Sequence, residues 1–210
     1  MSPAAASVYW ELPPGMVVGS IPLAMGDEAL LTKAIAGDRD SLDELFRRYR
    51  LVAYRVAHRL LGNEADALDA VQEGFIKALT HLESFEGRSS FKTWLLRVVS
   101  NAALDFGRQR GRREMRSLDV PETGDGEWTQ PLAHEDPSLR LERADLRRIL
   151  NEALATLPEA QRRTFVLHAE AELSYREVAE VLGISIGTVM SRLYYARQKL
   201  RAHLGKRIRL

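Results

Sequence analysis

Apolar residues recur in steps of three and four along most of this chain, the spacing that places them on one face of a helix. From Asp40 onward, Leu42, Leu45, Phe46, Tyr49, Val52, Ala53, Val56, Ala57, Leu60 and Leu61 form such a stripe. It predicts one long amphipathic helix, capped by Asp40 or Ser41 and stopped at Gly62. A shorter helix is expected before it over 28–36, closed by Gly37. A third, over 64–82, carries Val71, Phe75, Ile76 and Leu79 on its apolar side. After the loop "ESFEGRSS", a fourth begins near Phe91 and ends in the arginine run "GRQRGRR". Helical spacing resumes over 141–157 and 158–171, and again from Ser174. The alternation that a half-buried strand requires occurs nowhere.

The stretch "SYREVAEVLGISIGTVMSRLYYARQKL", from Ser174 to Leu200, holds two short helices joined at a glycine. Ser174 followed by Glu177 makes a capping box, so a helix starts there. Val178, Ala179, Val181 and Leu182 form its apolar side, and Gly183 supplies the left-handed residue that ends it. Ile184 plugs the turn, and Ser185 caps the next helix, whose Val189 and Leu193 face back to the core. Ala179 is small, as a close helix crossing requires. Ile186, Gly187, Thr188, Met190, Ser191, Arg192 and Tyr195 are left on the outer side, where base edges can be met. Arg176, at the start of the first helix, and Arg197, in the basic flank, suit backbone phosphates.

Charge distribution strengthens the polyanion reading, although the net charge is only +1. Arg192, Arg197, Lys199, Arg201, Lys206, Arg207 and Arg209 follow one another with no acid among them, and Arg97–Arg113 holds five arginines against Asp105. Between the two patches, Glu114–Arg140 carries seven acids, two arginines and no periodicity, with Pro121, Pro131, Pro137, Gly124 and Gly126 interrupting it. It reads as an acidic linker. The expected organisation is all-α: an N-terminal extension without fixed structure (1–26), a helical domain (27–113), the linker (114–139) and a second helical domain (140–210). "MSPAAASVYWELPPGMVVGSIPLAMG" lacks a basic start and is broken by Glu11, Pro13, Pro14 and Pro22, so it reads as neither a signal peptide nor a span. Met25 is an alternative start. With no cysteine and five scattered histidines there is no metal-ligand spacing, and no glycine-rich phosphate loop or nucleophile elbow occurs. The chain is therefore expected to be a cytoplasmic, non-enzymatic protein with no cofactor, no membrane insertion and no small-molecule substrate.

"DALDAVQEGFIKAL" (Asp66 to Leu79) and "FEGRSSFKTWLLRVVSNAALDFGRQRGRR" (Phe85 to Arg113) resemble region 2 of bacterial extracytoplasmic-function (ECF) sigma factors. "LATLPEAQRRTFVLHAEAELSYREVAEVLGISIGTVMSRLYYARQKLRAHL" (Leu154 to Leu204) resembles their region 4. The resemblance implies three interfaces. Asp66, Asp69, Gln72 and Glu73 would meet a coiled coil of the largest subunit of core RNA polymerase, whose flap is a further partner. Phe85, Arg88, Ser89, Ser90, Arg97, Asn101, Asp105, Arg108, Arg110, Arg112 and Arg113 would capture and grip the −10 element of promoter DNA. Arg176, Ser185, Gly187, Thr188, Met190, Ser191, Arg192 and Arg197 would read the −35 duplex. An anti-sigma factor is the further partner that the family implies.

The chain departs from the usual family pattern at Leu68, where an acid is common, and at Ala70, where leucine is common. Met190 stands where many members carry lysine, and Tyr194 and Tyr195 where a basic or histidine pair is common. Phe91, Trp94 and Leu95 fit a core stripe, whereas Phe85 is divided between core and base stacking. A linker of 26 residues, at ~3.3 Å each, reaches on the order of 85 Å and cannot fix the spacing of two DNA elements; a rigid host must. The competing reading is a helix-turn-helix regulator with a helical sensor or dimerisation domain, which leaves the "GRQRGRR" helix and the preceding loop without a task.

Overall fold

The computed structural model describes residues 25–116 and 137–205, and the elements within them are all helical. In the first half α1 (Asp27–Ile35), α2 (Arg39–Leu61), α3 (Glu64–Thr80) and α4 (Phe91–Arg116) pack together, with a 3-10 turn at Leu82–Ser84 before the loop to α4. In the second, α5 (Pro137–Ala155), α6 (Glu159–Ala169), α7 (Tyr175–Leu182) and α8 (Ile186–Leu204) do the same. The expectations for residues 1–24 and 117–136, and for the basic tail beyond Gly205, lie outside the described residues.

Local chemistry sets most boundaries. Gly62 ends α2 at φ 80, and Asn63 caps α3 by accepting the Asp66 backbone N–H at 2.9 Å. Ser90 caps α4 through the Thr93 N–H at 3.1 Å. Four expectations need correction. The residue before α2 is Asp38, not Asp40 or Ser41; Ser41 lies within the first turn and donates its hydroxyl to the Asp38 carboxylate. α3 stops at Thr80, and its chain tightens into the 3-10 turn, with the Ser84 hydroxyl donating to the His81 carbonyl at 2.7 Å. Ile76 is not core but 39% exposed, because Phe75, one position earlier, takes the inward direction. Finally α4 continues to Arg116 and α5 begins at Pro137, so the linker is shorter than 114–139 at both ends. Proline suits a first helical turn, where its missing N–H has no partner to lose.

The first core is built on aromatic contacts and one close helix crossing. Phe46 of α2 lies 4.6 Å from Phe75 and 6.3 Å from Phe91, ring centre to ring centre. Gly74 lets α3 approach α4: a Cβ there would stand 2.9 Å from Val99 Cγ2 and 3.0 Å from Val99 Cα. Trp94 is half-buried rather than fully core, wedged between Phe85 (5.2 Å) and Phe91 (5.7 Å). In the second half Val166, Leu167, Leu173, Val178, Val189 and Leu193 are buried together with Ala179. His168 is structural, its Nδ1 2.8 Å from the Leu173 carbonyl and its ring 5.0 Å from that of Tyr175. The two halves are not merely tethered. Their buried apolar residues form one continuous cluster, with α4 against α7 and α2 against α6.

Candidate nucleic-acid interface

The helix-turn-helix forms as its sequence dictates. The Ser174 hydroxyl accepts the Glu177 N–H, and the Glu177 carboxylate accepts the Ser174 N–H at 2.8 Å and its hydroxyl at 2.7 Å. Those bonds from Ser174 hold the Glu177 carboxyl below the ordinary carboxylate range. Gly183 takes the left-handed conformation at φ 64, which costs a residue without a Cβ little. Ser185 caps α8 through the Thr188 N–H at 3.1 Å. Val189, Leu193, Ala196 and Leu200 face inward. Gly187, Met190, Ser191 and Arg197 are exposed, Thr188 and Arg192 half-buried, and Ser185 sits open at the helix start. Arg176 extends from the first turn of α7 into solvent, 3.6 Å from Glu180. All eight candidate −35 residues therefore belong to one unit, with a polar and apolar outer surface bordered by cations.

The α3 candidates separate into two groups. Asp69 and Gln72 are exposed, and Glu73 is half-buried in an ion pair with Lys77 one turn on. Asp66, at the helix start, is ion-paired to Arg110 of α4 at 3.0 Å, so a residue assigned to the polymerase faces one assigned to DNA. Exposed Ile76 lies seven residues after Asp69 and joins that stripe as an apolar member which periodicity had placed inside.

The loop and α4 hold the third group. Arg88 is exposed and pairs with Glu86; Ser89 is half-buried; Ser90 is used as the cap. Phe85 is half-buried against Trp94, which settles its packing without removing its edge from solvent. Along α4, Arg97, Asn101, Asp105, Arg108 and Arg112 are exposed and Arg110 is half-buried; Arg113 continues the helix, its side chain outside the described residues.

What could not be foreseen is how much of this α4 surface meets the second half. Arg97 Nη2 donates to the Glu180 carbonyl of α7, and the Thr93 hydroxyl donates to Glu177 Oε1 at 3.3 Å. Arg108 is ion-paired with Glu159 at 2.9 Å. Arg163 of α6 donates to the Ser100 hydroxyl at 3.0 Å and to the Asn101 side-chain carbonyl. Below them Arg59 of α2 bonds Glu170 at 2.8 Å and Asn151. Burial first, and then the charges of Arg108 and Arg97, push the Arg163 guanidinium down to about 10, while Glu159 works the other way. Thr93, Ser100, Arg59 and Arg163 carry no motif or periodic signal, so only the fold reveals their part.

Among the described residues no cluster of histidine and carboxylates could hold a metal, and no helix is long and apolar enough to cross a membrane. The family descriptions "Sigma-70 region 2" and "Sigma-70, region 4" match residues 45–113 and 147–200. An "ECF RNA polymerase sigma factor SigE" of Mycolicibacterium smegmatis is 37% identical over 183 residues, covering 87% of this chain and 66% of that protein. The "ECF RNA polymerase sigma-E factor" of Haemophilus influenzae is 32% identical, with 83% of this chain and 93% of that protein covered. Two solved structures share the fold at 27% identity. One is CnrH in complex with the cytosolic domain of CnrY (TM-score 0.66; 87% of this chain, 99% of that one). The other is the sigma factor RpoE with the anti-sigma factor NepR from Bartonella quintana (TM-score 0.61; 79% and 99%). Two sigma regions in the expected order, on an all-helical frame, and a relative 32% identical that is covered over 93% of its length place the chain among the ECF sigma factors of bacterial RNA polymerase, initiation factors that direct the polymerase to promoters.

Proposed function

We propose that the three surfaces divide the work of initiation as follows. The α3 stripe of Asp69, Gln72 and Glu73, with Asp66 at its head and Ile76 as its apolar member, docks on a basic helical coil of the largest polymerase subunit. Carboxylates facing a basic partner speed encounter and fix register more than they add affinity, and the isoleucine supplies the desolvated contact. The loop 84–90 and α4 receive −10 bases that have left the stack. Phe85 and Trp94 offer aromatic faces, Arg88, Ser89 and Ser90 offer polar edges, Asn101 and Asp105 follow one turn apart, and Arg97, Arg108, Arg110, Arg112 and Arg113 hold phosphates. The α7–α8 unit reads the −35 duplex, with Arg176 and Arg197 on its backbone. The division follows the two helical halves, α1–α4 and α5–α8.

One observation carries the proposal: a capped helix-turn-helix with an open outer face lies in the same chain as an acidic helix stripe and an arginine-bearing helix. A helix-turn-helix regulator needs only the first. The chain has no catalysis of its own, needs no cofactor and works in the cytoplasm, where core polymerase is. An anti-sigma factor is a further partner, a reading supported by the structural neighbour captured with one. Run-off transcription with purified core polymerase over a promoter library tests the whole. Promoter-specific initiation that requires this chain is expected; a chain that acts only beside another sigma factor would be a regulator instead.

A further inference from the structure

The first two turns of α8 present an unusual surface for a duplex-reading helix. From Ser185 to Ser191 no residue carries a charge or a side-chain amide. The side-chain pairings that identify guanine, adenine and cytosine, made by Arg or Lys, Asn or Gln, and Glu or Asp, are therefore unavailable there. The hydroxyls present bond one another and the backbone, with one proton of the Ser185–Thr188 pair left free. Ser185 and Thr188 bond each other at 2.8 Å, Ser185 also accepts the Thr188 N–H, and Ser191 donates to the Thr188 carbonyl at 3.0 Å. Beside these small hydroxyls, the large exposed side chains are apolar. Ile186 (46%), Met190 (54%) and Tyr194 (58%) follow at intervals of four and make a ridge along the helix. Tyr194 accepts a hydrogen bond from Gln198 at 2.8 Å, which leaves its own proton available to a phosphate.

Gly187 stands beside that ridge for no reason internal to the chain. A Cβ there would meet nothing closer than the Ser185 hydroxyl at 3.8 Å, an ordinary contact, and its backbone is regular helix. A glycine in a helix costs about 0.5–1 kcal/mol against alanine. An exposed glycine with no tight neighbour, on the outer face of the reading helix, fits an approach by something from outside. The occupant is duplex DNA rather than an apolar protein groove, because Arg192, Arg197, Lys199 and Arg201 follow on the same helix with no acid among them.

We infer that Ile186 and Met190 read the C5 methyl groups of thymine in the −35 element, with Gly187 admitting the groove edge and Tyr194 reaching a flanking phosphate. Thymine is the one base that shows an apolar group in the major groove, and that group is the natural partner of an aliphatic or thioether side chain. The inference rests on the reading of α8 as the −35 helix.

The test replaces each thymine of the selected −35 element in turn by deoxyuridine, which removes the methyl and keeps the pairing face. Transcription by core polymerase with the full chain is then measured. Loss of one methyl contact at a defined position is expected to lower initiation about 3- to 5-fold, the factor associated with one buried methyl-sized group. Met190→Ala or Ile186→Ala should be blind to the same replacement while retaining the native melting profile. If promoter-specific initiation persists and no deoxyuridine position matters, the inference fails and the sigma reading survives. A selected element without thymine, or Met190→Ala and Ile186→Ala chains that both keep the full deoxyuridine response, also overturns it. Absence of any promoter-specific initiation removes the underlying reading itself.

Discussion

The two helices proposed to face DNA, α4 and α8, are in opposite states in this structure. On α4, Arg97, Asn101 and Arg108 are all bonded to groups of the second half, whereas the outer face of α8 from Ile186 to Tyr195 meets solvent. The free chain thus bonds part of the α4 surface proposed to capture single strand and leaves the proposed duplex-reading surface of α8 open. The difference lies in chemistry as well as position. The α4 face is cationic and finds oxygen acceptors on α6 and α7, while the α8 face is largely apolar and no neighbouring element of the fold needs it. A rigid host that holds the halves apart would therefore change what α4 can do far more than what α8 can do.

Joining the halves should break the comparison most visibly. The chain has no cysteine, so an Arg108→Cys, Glu159→Cys variant carries a single exposed pair across the interface, compared with the same variant before cross-linking. A short bismaleimide across that pair is expected to lower run-off transcription at least about tenfold, since a closed state held covalently cannot be shifted by its partners. Binding of a −35 duplex to the same cross-linked protein should change little. If transcription survives cross-linking, α4 is not masked.

Two glycines sharpen the contrast at the level of backbone. Gly74→Ala should destabilise the first half by about 1–3 kcal/mol, because the added methyl meets the Val99 backbone as well as its side chain. Gly187→Ala should do the reverse in thermal melts, stabilising by about 0.5–1 kcal/mol, yet it should lower initiation several-fold at promoters that depend on their −35 element. Equal or better initiation by the Gly187→Ala chain would show that nothing approaches α8 closely there.

The smallest effect concerns Glu177, which both caps α7 and accepts the Thr93 hydroxyl. Its folded pKa lies below the ordinary carboxylate value, so its stabilisation is complete above that ordinary value and is lost as the pH falls through the folded one. Melting temperatures measured between about pH 6 and about pH 3 should fall less steeply in Glu177→Gln than in the native chain. The native advantage at neutral pH should be under about 1 kcal/mol. A parallel pH dependence in the two chains would remove Glu177 from the account.

These contrasts also mark what the sequence made legible. The caps at Ser174 and Ser185, the stop at Gly183 and the inward Val189 and Leu193 are set by neighbours within four residues, so pattern and chemistry identify them. Ile76 escaped because Phe75 beside it is also apolar, and adjacent positions on a helix differ by only a fraction of a turn; packing chose the larger ring. The start of α2 escaped because Asp38, Asp40 and Ser41 are all capable caps, and the position of Gly37, which closes α1, selects the earliest of them. Arg163, Glu159 and Glu170 had no signal at all. An interface made of long polar side chains from distant segments leaves no periodicity behind it.

Arg108 and Glu159 have a consequence for how the molecule opens. Their ion pair lies at the surface, and the acceptors that hold Arg97 and Arg108 are oxygens, the same kind of atom that a nucleic-acid backbone presents. Withdrawal of α6 and α7 in the presence of a promoter would be an exchange of one oxygen partner for another, with no guanidinium stranded between. Half-buried beside them, Arg163 stays charged at neutral pH, and the oxygens of Ser100 and Asn101 that it now bonds would be replaced in the same way.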